Sequence, residues 1–331
     1  MKELTYVEAI NEAITEEMAR DESVIILGED ISVGYGGGGM FGATKGLLER
    51  FGADRVIDTP LSEVAITGAA LGAALVGLRP IAEIMFGDFL AIIMDQLVNN
   101  VAKMRWTLNG EVDIPVVYRT SYGAGVGAGF HHSQSFEAWV AHVPGLKVAM
   151  PSDPADAKGL LKASIRGNDP VIFMEHKFLY KRLKGPVPEG DVVIPLGKGE
   201  IKRPGKDVTI IATGWMVRRA LEAAELLEQK GISVEVVDPR TILPLDEELI
   251  LSSVRKTGRA VIVHEAPTFG GFGGEIAALL ADKAIDSLDG PVKRVGGLFT
   301  PVPNWIKMEE YYLPGVEKII QAVREVIRFP E

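Results

Sequence analysis

The 331-residue sequence contains no cysteine. That excludes disulfides, zinc–thiolate centres and thiol nucleophiles, and it agrees with a reducing, cytoplasmic setting. Histidine is scarce, five in all, so any metal ligands would have to be mainly carboxylates. Positive charge is in deficit: 35 Lys and Arg against 45 Asp and Glu give a net charge of −10. Nothing draws such a chain to phosphate backbones or anionic lipid, so neither nucleic acid nor a membrane is expected as a partner. Long apolar runs are missing too. The stretch Val64 to Leu78, closed by Glu63 and Arg79, falls short of the ~18 residues of a credible membrane span and reads as a buried helix. Met1-Lys2-Glu3-Leu4-Thr5 leads directly into a charged helical pattern, without the apolar core of a secretory signal. What remains is ordinary globular composition, 47% hydrophobic and 24% charged, in a length that argues for two domains at ~100–200 residues each.

The pattern along the chain is an alternation of strands and helices. Apolar residues at Ala9, Ile10, Ala13, Ile14 and Met18 follow helical spacing, and Val24 to Leu27 is a short β-rich run ending at Gly28. Further strands are predicted at 56–57, 80–86, 114–119, 146–150 and 171–175, with helices near 44–51, 64–78 and 89–105. Asp153-Pro154-Ala155-Asp156 opens another helix, with Asp153 as N-cap and Pro154 at the first helical position. Between Lys181 and Asp207 the periodicity fails among prolines and glycines. Strands at 208–211, 234–237, 260–264 and 292–295 then alternate with helices at 217–229, 247–256, 275–284 and 316–327. The fold class is therefore α/β, two domains with mostly parallel sheets covered by helices. The boundaries read as a first domain over 1–180, a linker over 181–206 and a second domain over 207–331.

Several motifs invite chemistry. Gly34 to Gly39 satisfies the dinucleotide pattern G-x-G-x-x-G, Gly123 to Ala128 satisfies its relaxed form, and a third glycine cluster spans Gly270 to Gly274. Three such clusters point to a habit of the fold more than to a nicotinamide site. No P-loop and no Gly-x-Ser-x-Gly elbow occurs. His131, His132, Glu137 and His142 cannot converge from one helix, and they lack a zinc pattern. A histidine in a glycine-rich loop with an ordinary pKa near ~6.5 can exchange protons near neutrality. Glu63 stands just before an Ala-, Gly- and Leu-rich helix. It reads either as a first-turn carboxylate facing the helix N-terminus or as a carboxylate held beside apolar walls to bind a ligand nitrogen. Gly68 and Gly72, with Ala69 and Ala73, leave one helix face small enough for close packing, within the domain or against another subunit.

Taken jointly, Leu27-Gly28-Glu29-Asp30, Asp58-Thr59-Pro60-Leu61-Ser62-Glu63, His132-Ser133-Gln134-Ser135 followed by Pro144-Gly145-Leu146-Lys147-Val148, and Val237-Asp238-Pro239-Arg240-Thr241 through Asp246 make a sequence that resembles one family nearly end to end. It is the beta subunit of the thiamine-diphosphate-dependent decarboxylating component of 2-oxo acid dehydrogenase complexes. The resemblance implies a thiamine-diphosphate-binding fold, with a pyrimidine-binding domain followed by a transketolase C-terminal-like domain. It also implies two alpha and two beta chains, with thiamine diphosphate shared between them. The Gly-Asp-Gly motif that holds magnesium and diphosphate is absent, and Asn99-Asn100 alone does not replace it. Magnesium would thus be held by the alpha subunit, and this chain would supply the aminopyrimidine half. By the same resemblance Glu63 hydrogen-bonds a pyrimidine ring nitrogen and promotes removal of the thiazolium proton. His132 handles protons and acyl transfer to the lipoyl group of an acyltransferase core, with His131 as a second imidazole beside it. Leu61, Met85 and Phe89 line the aminopyrimidine pocket. Some relatives hold potassium in the segment matching Ser164, Ile165 and Asp169, where Gly167 replaces a common aspartate.

The implied activity is oxidative cleavage of a small molecule, pyruvate or acetoin, with acyl transfer to lipoamide. Arg79 to Phe89 and Arg119 to Gly125 look most like acetoin-type and pyruvate-type subunits, and branched-chain 2-oxo acids are the third option. The rivals are a non-catalytic scaffold subunit, against which the presence of both Glu63 and His132 argues, and a nicotinamide-dependent oxidoreductase.

Overall fold

The computed structural model describes residues 1–33 and 38–328. Most of the glycine run that begins at Gly34 lies outside the described residues. The chain divides into two compact units, Met1–Tyr122 with Trp139–Leu196, and Gly123–Ala138 with the chain from Gly197 onward.

In the first unit the elements run β1 (Lys2–Thr5), α1 (Tyr6–Arg20), β2 (Val24–Glu29), α2 (Leu47–Phe51), β3 (Val56–Thr59), α3 (Glu63–Leu75) and β4 (Arg79–Phe86). After these come α4 (Leu90–Asp95), α5 (Ala102–Thr107), β5 (Val117–Tyr122), α6 (Glu137–Ala141, entered from the second unit), β6 (Lys147–Ala149), α7 (Pro154–Arg166), β7 (Val171–His176) and β8 (Lys184–Val187). Six strands form a parallel sheet in the order β6-β7-β5-β4-β2-β3. β1 and β8 make a separate antiparallel ribbon, β8 lying inside the stretch where sequence periodicity fails. β5 and β7 are buried along their whole length, the signature of a sheet covered on both faces. The cap expected from sequence is formed, with Asp153 accepting from the Asp156 amide at 2.9 Å. At α1, Thr5 and Glu8 make a capping box.

One expected element differs. The predicted helix over 89–105 is broken into a 3-10 turn (Gly87–Phe89), α4, a π-helical turn (Gln96–Val101) and α5. The π turn holds Asn99 and Asn100, whose side chains donate to Asp95 and Gln96 one turn back. Such a one-residue widening shifts the face that the rest of the helix presents, and hydrophobic spacing does not reveal it.

The second unit runs β9 (Glu200–Arg203), β10 (Val208–Ala212), α8 (Trp215–Glu228), β11 (Val234–Asp238), β12 (Thr241–Leu243), α9 (Glu247–Thr257), β13 (Ala260–Pro267), α10 (Gly273–Lys283), β14 (Lys293–Gly297), α11 (Ile306–Tyr312) and α12 (Val316–Ile327). Its sheet order is β14-β13-β10-β11-β9, parallel except for β9. The α9–α10 side is an aliphatic layer around Ile211, Val237, Ile250, Val254, Ile262 and Leu280.

The third glycine cluster finds its reason here. His264 on β13 is buried, and neither ring nitrogen reaches a hydrogen-bond partner. A Cβ at Gly271 would lie 2.5 Å from its Cε1, and one at Gly273 2.5 Å from its Cδ2. The glycines make room for an imidazole, not for a pyrophosphate. Burial, with Arg294 adding to it, pushes the His264 pKa down to about 4. The unfolded chain, with a histidine pKa near ~6.5, takes up this proton before the folded one does, so stability is lost as pH falls from about 6.5 toward 4. By pH 5 the loss attributable to His264 reaches ~2 kcal/mol. Urea unfolding at pH 7 and pH 5 is expected to show this difference for the native chain, and His264→Gln is expected to abolish it whatever the variant's absolute stability.

Candidate active site

Sheet topology locates the first unit's site. The connection leaving β2 runs to β3 on one side, while that leaving β4 runs to β5 on the other, so a crevice opens beyond the carboxyl ends of β2 and β4. Glu29 and Asp30 follow from β2, Met85 to Phe89 from β4, and the Thr59 to Glu63 turn from β3, whose Thr59 pairs in register with Glu29. Thus Glu63, Met85 and Phe89, separated by tens of residues in sequence, come from strand ends around one crevice.

The turn that presents Glu63 is tied down from both sides. Asp58 accepts from the Ser32 amide at 3.0 Å and from the Ser32 hydroxyl. The Glu63 carbonyl accepts from Thr67 Oγ1 at 2.8 Å, and the Thr67 carbonyl in turn accepts from the Tyr118 hydroxyl at 3.1 Å. Ser62, the residue preceding the helix, makes no side-chain cap. The Glu63 carboxylate, only 8% exposed, therefore sits in the first turn of α3, where the helix N-terminus favours negative charge. Beside it, Glu29 is pushed toward the protonated form by burial first, then by the charges of Asp30 and Glu63. This is an acidic pocket in which a ligand nitrogen is favoured.

The apolar wall is aromatic and layered. Phe89 meets Phe86 edge-on at 5.6 Å between ring centres, Phe86 meets Phe41 at 6.3 Å, and Phe41 stacks on Tyr180 at 4.7 Å. Met85 is partly buried, and its carbonyl accepts from Ser121 Oγ at 2.6 Å. Leu61 is 71% exposed, so its side chain finds no wall of its own in this chain.

Below the crevice lies a charged cluster that sequence reading missed. Arg119 on β5 is fully buried; its guanidinium donates to both oxygens of Glu175 on β7 at 2.7 and 2.8 Å and to Glu83 on β4 at 2.7 Å. The Tyr180 hydroxyl donates to Glu175 at 2.7 Å. Burial alone disfavours the guanidinium, but the two carboxylates outweigh it and hold Arg119 protonated. The available signal was a lone arginine inside Val-Val-Tyr-Arg-Thr-Ser-Tyr, otherwise a strand free of charge.

The expected site residues Ser164, Ile165 and Asp169 lie apart from this crevice within the first unit. Ser164 and Ile165 end α7, and Asp169 follows near the amino end of the sheet, a strand length of roughly 20 Å from the end that carries Met85 and Phe89. Ser164 Oγ donates to the Leu160 carbonyl at 2.8 Å. The carbonyls of Ile165 and Gly167 accept from the Arg79 guanidinium. Asp169 is paired with Arg105 at 2.6 Å and Lys147 at 2.7 Å. The Ile165 and Gly167 carbonyls and the Asp169 carboxylate thus face cationic side chains. His131 and His132 belong to the second unit, His131 exposed and His132 partly so, with the His132 amide closing a turn onto the Gly129 carbonyl at 3.2 Å.

Comparison with known proteins gives this geometry a family. Residues 2–182 match the transketolase pyrimidine-binding domain, and residues 197–319 match the transketolase C-terminal domain. The chain is 47% identical to the 2-oxoisovalerate dehydrogenase subunit beta of Bacillus subtilis, over 99% of this chain and 100% of the relative. It is 49% identical to the acetoin:2,6-dichlorophenolindophenol oxidoreductase subunit beta of Cupriavidus necator, over 97% and 96%. To the pyruvate dehydrogenase E1 component subunit beta of Staphylococcus epidermidis it is 44% identical, over 99% and 100%. Among solved structures, a split-gene transketolase described as an inactive beta4 tetramer superposes with a TM-score of 0.79 at 25% identity, covering 98% of both chains. The chain belongs to the family of transketolase-like beta subunits of the 2-oxo acid and acetoin dehydrogenases.

Arg119→Met leaves Glu175 and Glu83 without their cation and is expected to cost about 3–5 kcal/mol of unfolding free energy in urea. Arg119→Lys keeps the charge but cannot make the bidentate contact, and is expected to fall between the two.

Proposed function

We propose that this chain supplies the aminopyrimidine half of a thiamine-diphosphate site completed by an alpha subunit, in an enzyme that cleaves pyruvate or acetoin and passes the acyl group to lipoyl groups of an acyltransferase core. The observation that carries the reading is Glu63, a buried carboxylate at a helix start beside an aromatic wall, in the crevice of a transketolase pyrimidine-binding domain. The residues present fit that half of the cofactor. Glu63 offers the acceptor for a ring nitrogen, and Met85 and Phe89 offer apolar surface for the ring's faces. The diphosphate half has no counterpart in the chain's motifs, since Gly-Asp-Gly is absent. When bound, thiamine diphosphate supplies the carbon nucleophile and electron sink for carbon–carbon cleavage.

This chain's own groups hold and move protons. Glu63 exchanges a proton with the ring nitrogen it binds, and the low-dielectric wall strengthens that hydrogen bond. His132 acts as acid and base on the acyl-transfer half-reaction. Two features support an alpha partner. Leu61 turns its side chain to solvent, and the outer face of α3 exposes Val64, Ala65, Ala69, Gly72 and Leu75, apolar or small and unsuited to water. Relatives named as subunits beta agree with this. Substrate identity divides among the relatives themselves, and the choice of pyruvate or acetoin over branched-chain 2-oxo acids rests on the Arg79 to Phe89 and Arg119 to Gly125 segments.

The test is reduction of an artificial electron acceptor by this chain co-purified with its alpha partner, with magnesium and thiamine diphosphate, on pyruvate, acetoin and 3-methyl-2-oxobutanoate in turn. Turnover of pyruvate or acetoin is expected, and preference for the branched substrate would overturn the choice made here. Glu63→Gln is expected to leave the alpha–beta assembly intact by size-exclusion chromatography and to lower kcat by roughly 10²–10⁴-fold. Unchanged turnover would remove Glu63 from the proposed role.

A further inference from the structure

The second unit contains a carboxylate arrangement that neither the crevice chemistry nor the packing of the sheet explains. Glu309 on α11 is 0% exposed. Its Oε2 accepts from two backbone amides, Gly125 at 3.1 Å and Gly127 at 2.7 Å, while its Oε1 has no hydrogen-bond partner. Glu265, near the carboxyl end of β13 and also buried, accepts from the Ala124 amide at 2.5 Å. Burying a carboxylate carries a large desolvation cost unless donors meet it, and here the donors are consecutive and near-consecutive main-chain N–H groups of one loop.

That loop is shaped for the contact. Gly125, Gly127 and Gly129 have φ of +102°, +74° and +78°, values that side chains other than glycine rarely adopt. It also lies flat on the segment leading into and through α11. A Cβ at Gly127 would come 3.1 Å from Ile306 Cγ1, and one at Gly129 2.8 Å from Asn304 Oδ1. Immediately beyond come the turn that closes His132 onto Gly129 and the imidazoles of His131 and His132. The same loop carries Ser135, whose hydroxyl donates to the buried Glu137 at 2.6 Å.

The geometry points to Glu309 and Glu265 as positioning residues: they are fixed acceptors that hold the Ala124–Gly127 backbone, and through it the placement of the histidine-bearing turn. They touch no reacting atom. The functional part of this inference rests on the reading of His132 given above; the structural part, that the two carboxylates hold the loop, does not.

The experiment uses the alpha–beta holoenzyme with Glu309→Ala, Glu309→Gln and Glu265→Gln. Hydrogen exchange of peptides spanning 123–130 reads the loop directly. Steady-state acylation of lipoamide, with pyruvate and acetoin assayed separately, reads its consequence. Gln retains a carbonyl that can occupy the Oε2 position, so Glu309→Gln is expected to stay within a few-fold of the native enzyme in both readouts. Glu309→Ala is expected to exchange the 124–127 amides at least tenfold faster, roughly the loss of a charge-assisted hydrogen bond. Its kcat is expected to fall by on the order of 10²-fold with little change in KM, as for a displaced catalytic group. Unchanged exchange in an assembled Glu309→Ala enzyme would overturn the inference. Faster exchange with native kcat would keep the loop-holding role and overturn the one assigned to His132. Where the alanine variant fails to assemble, Gly127→Ala strains the same contact from the loop side, because its Cβ meets Ile306 and its backbone donates to Glu309, whose own side chain is retained.

Discussion

Buried charge met by opposite charge across neighbouring strands is the interaction on which the upper half of the first sheet depends. Arg119 sits on the central strand of the β4-β5-β7 trio and bonds outward to Glu83 on one neighbour and Glu175 on the other. A planar guanidinium can clasp both oxygens of Glu175 and still reach Glu83 from separate nitrogens, a fork that a single ammonium nitrogen does not reproduce. With those strands cross-tied, their carboxyl ends are held in place. From those ends the chain turns into Met85, Phe86 and Phe89. Tyr180 extends the tie to Phe41 through its stacked ring and to Glu175 through its hydroxyl. The aromatic wall of the crevice therefore has a polar foundation. An apolar replacement of the whole cluster could match its stability, but it would not fix the strand ends in the same register.

The first sheet's amino end is held by similar chemistry used differently. α1 and α7 face one another across Lys158, Lys162 and Arg166, which meet Glu12, Glu16, Glu17 and Asp191 at 2.6–2.7 Å in a ladder of ion pairs. Lys158 and Lys162 are buried, yet their ammonium groups are satisfied by carboxylates from the partner helix and from the following loop. Nearby, Arg79 accounts for the carbonyls of Ile165 and Gly167, while Arg105 and Lys147 account for Asp169. At the opposite end of the strands, Glu29 and Glu63 have no cationic partner among the described residues. Glu29 and Glu63 repel one another there, which raises the Glu29 pKa beyond the effect of burial.

Much of this was legible in the sequence, and the reasons differ by element. Val24–Glu29, Val171–His176 and Val208–Ala212 open on β-branched or apolar runs, and they are strands. The α7 cap was readable because Asp-Pro-x-Asp states its own geometry. Glu63 was readable as a two-way choice, and the fold sharpens it by bringing β2, β3 and β4 to one crevice. What stayed hidden is what pairing creates. β1 and β8 are too short and too mixed to announce a ribbon. The π turn at 96–101 keeps helical composition. Arg119, Glu83 and Glu175 are remote in sequence and acquire meaning only when their strands become neighbours. The same holds for Glu265 and Glu309, which are unremarkable acidic residues until a glycine-rich loop donates its amides to them.

The glycine clusters show how one residue type serves three ends in one chain. At 271 and 273 glycine clears space for the His264 ring. At 125, 127 and 129 it supplies backbone angles that aim amides at carboxylates. At 68 and 72 it thins the exposed flank of α3. None of these needs a dinucleotide, although the run from Gly123 fits the relaxed form of its pattern. In the second unit the strand order reverses between β10 and β13, the position where an open α/β sheet would take a nucleotide. Beside it, Glu265 receives Ala124 of the chain's own loop instead of a phosphate. A carboxylate at that spot repels a pyrophosphate and attracts amides. The charge that makes the second unit a poor nucleotide binder is thus the charge that makes it a good seat for the histidine-bearing loop.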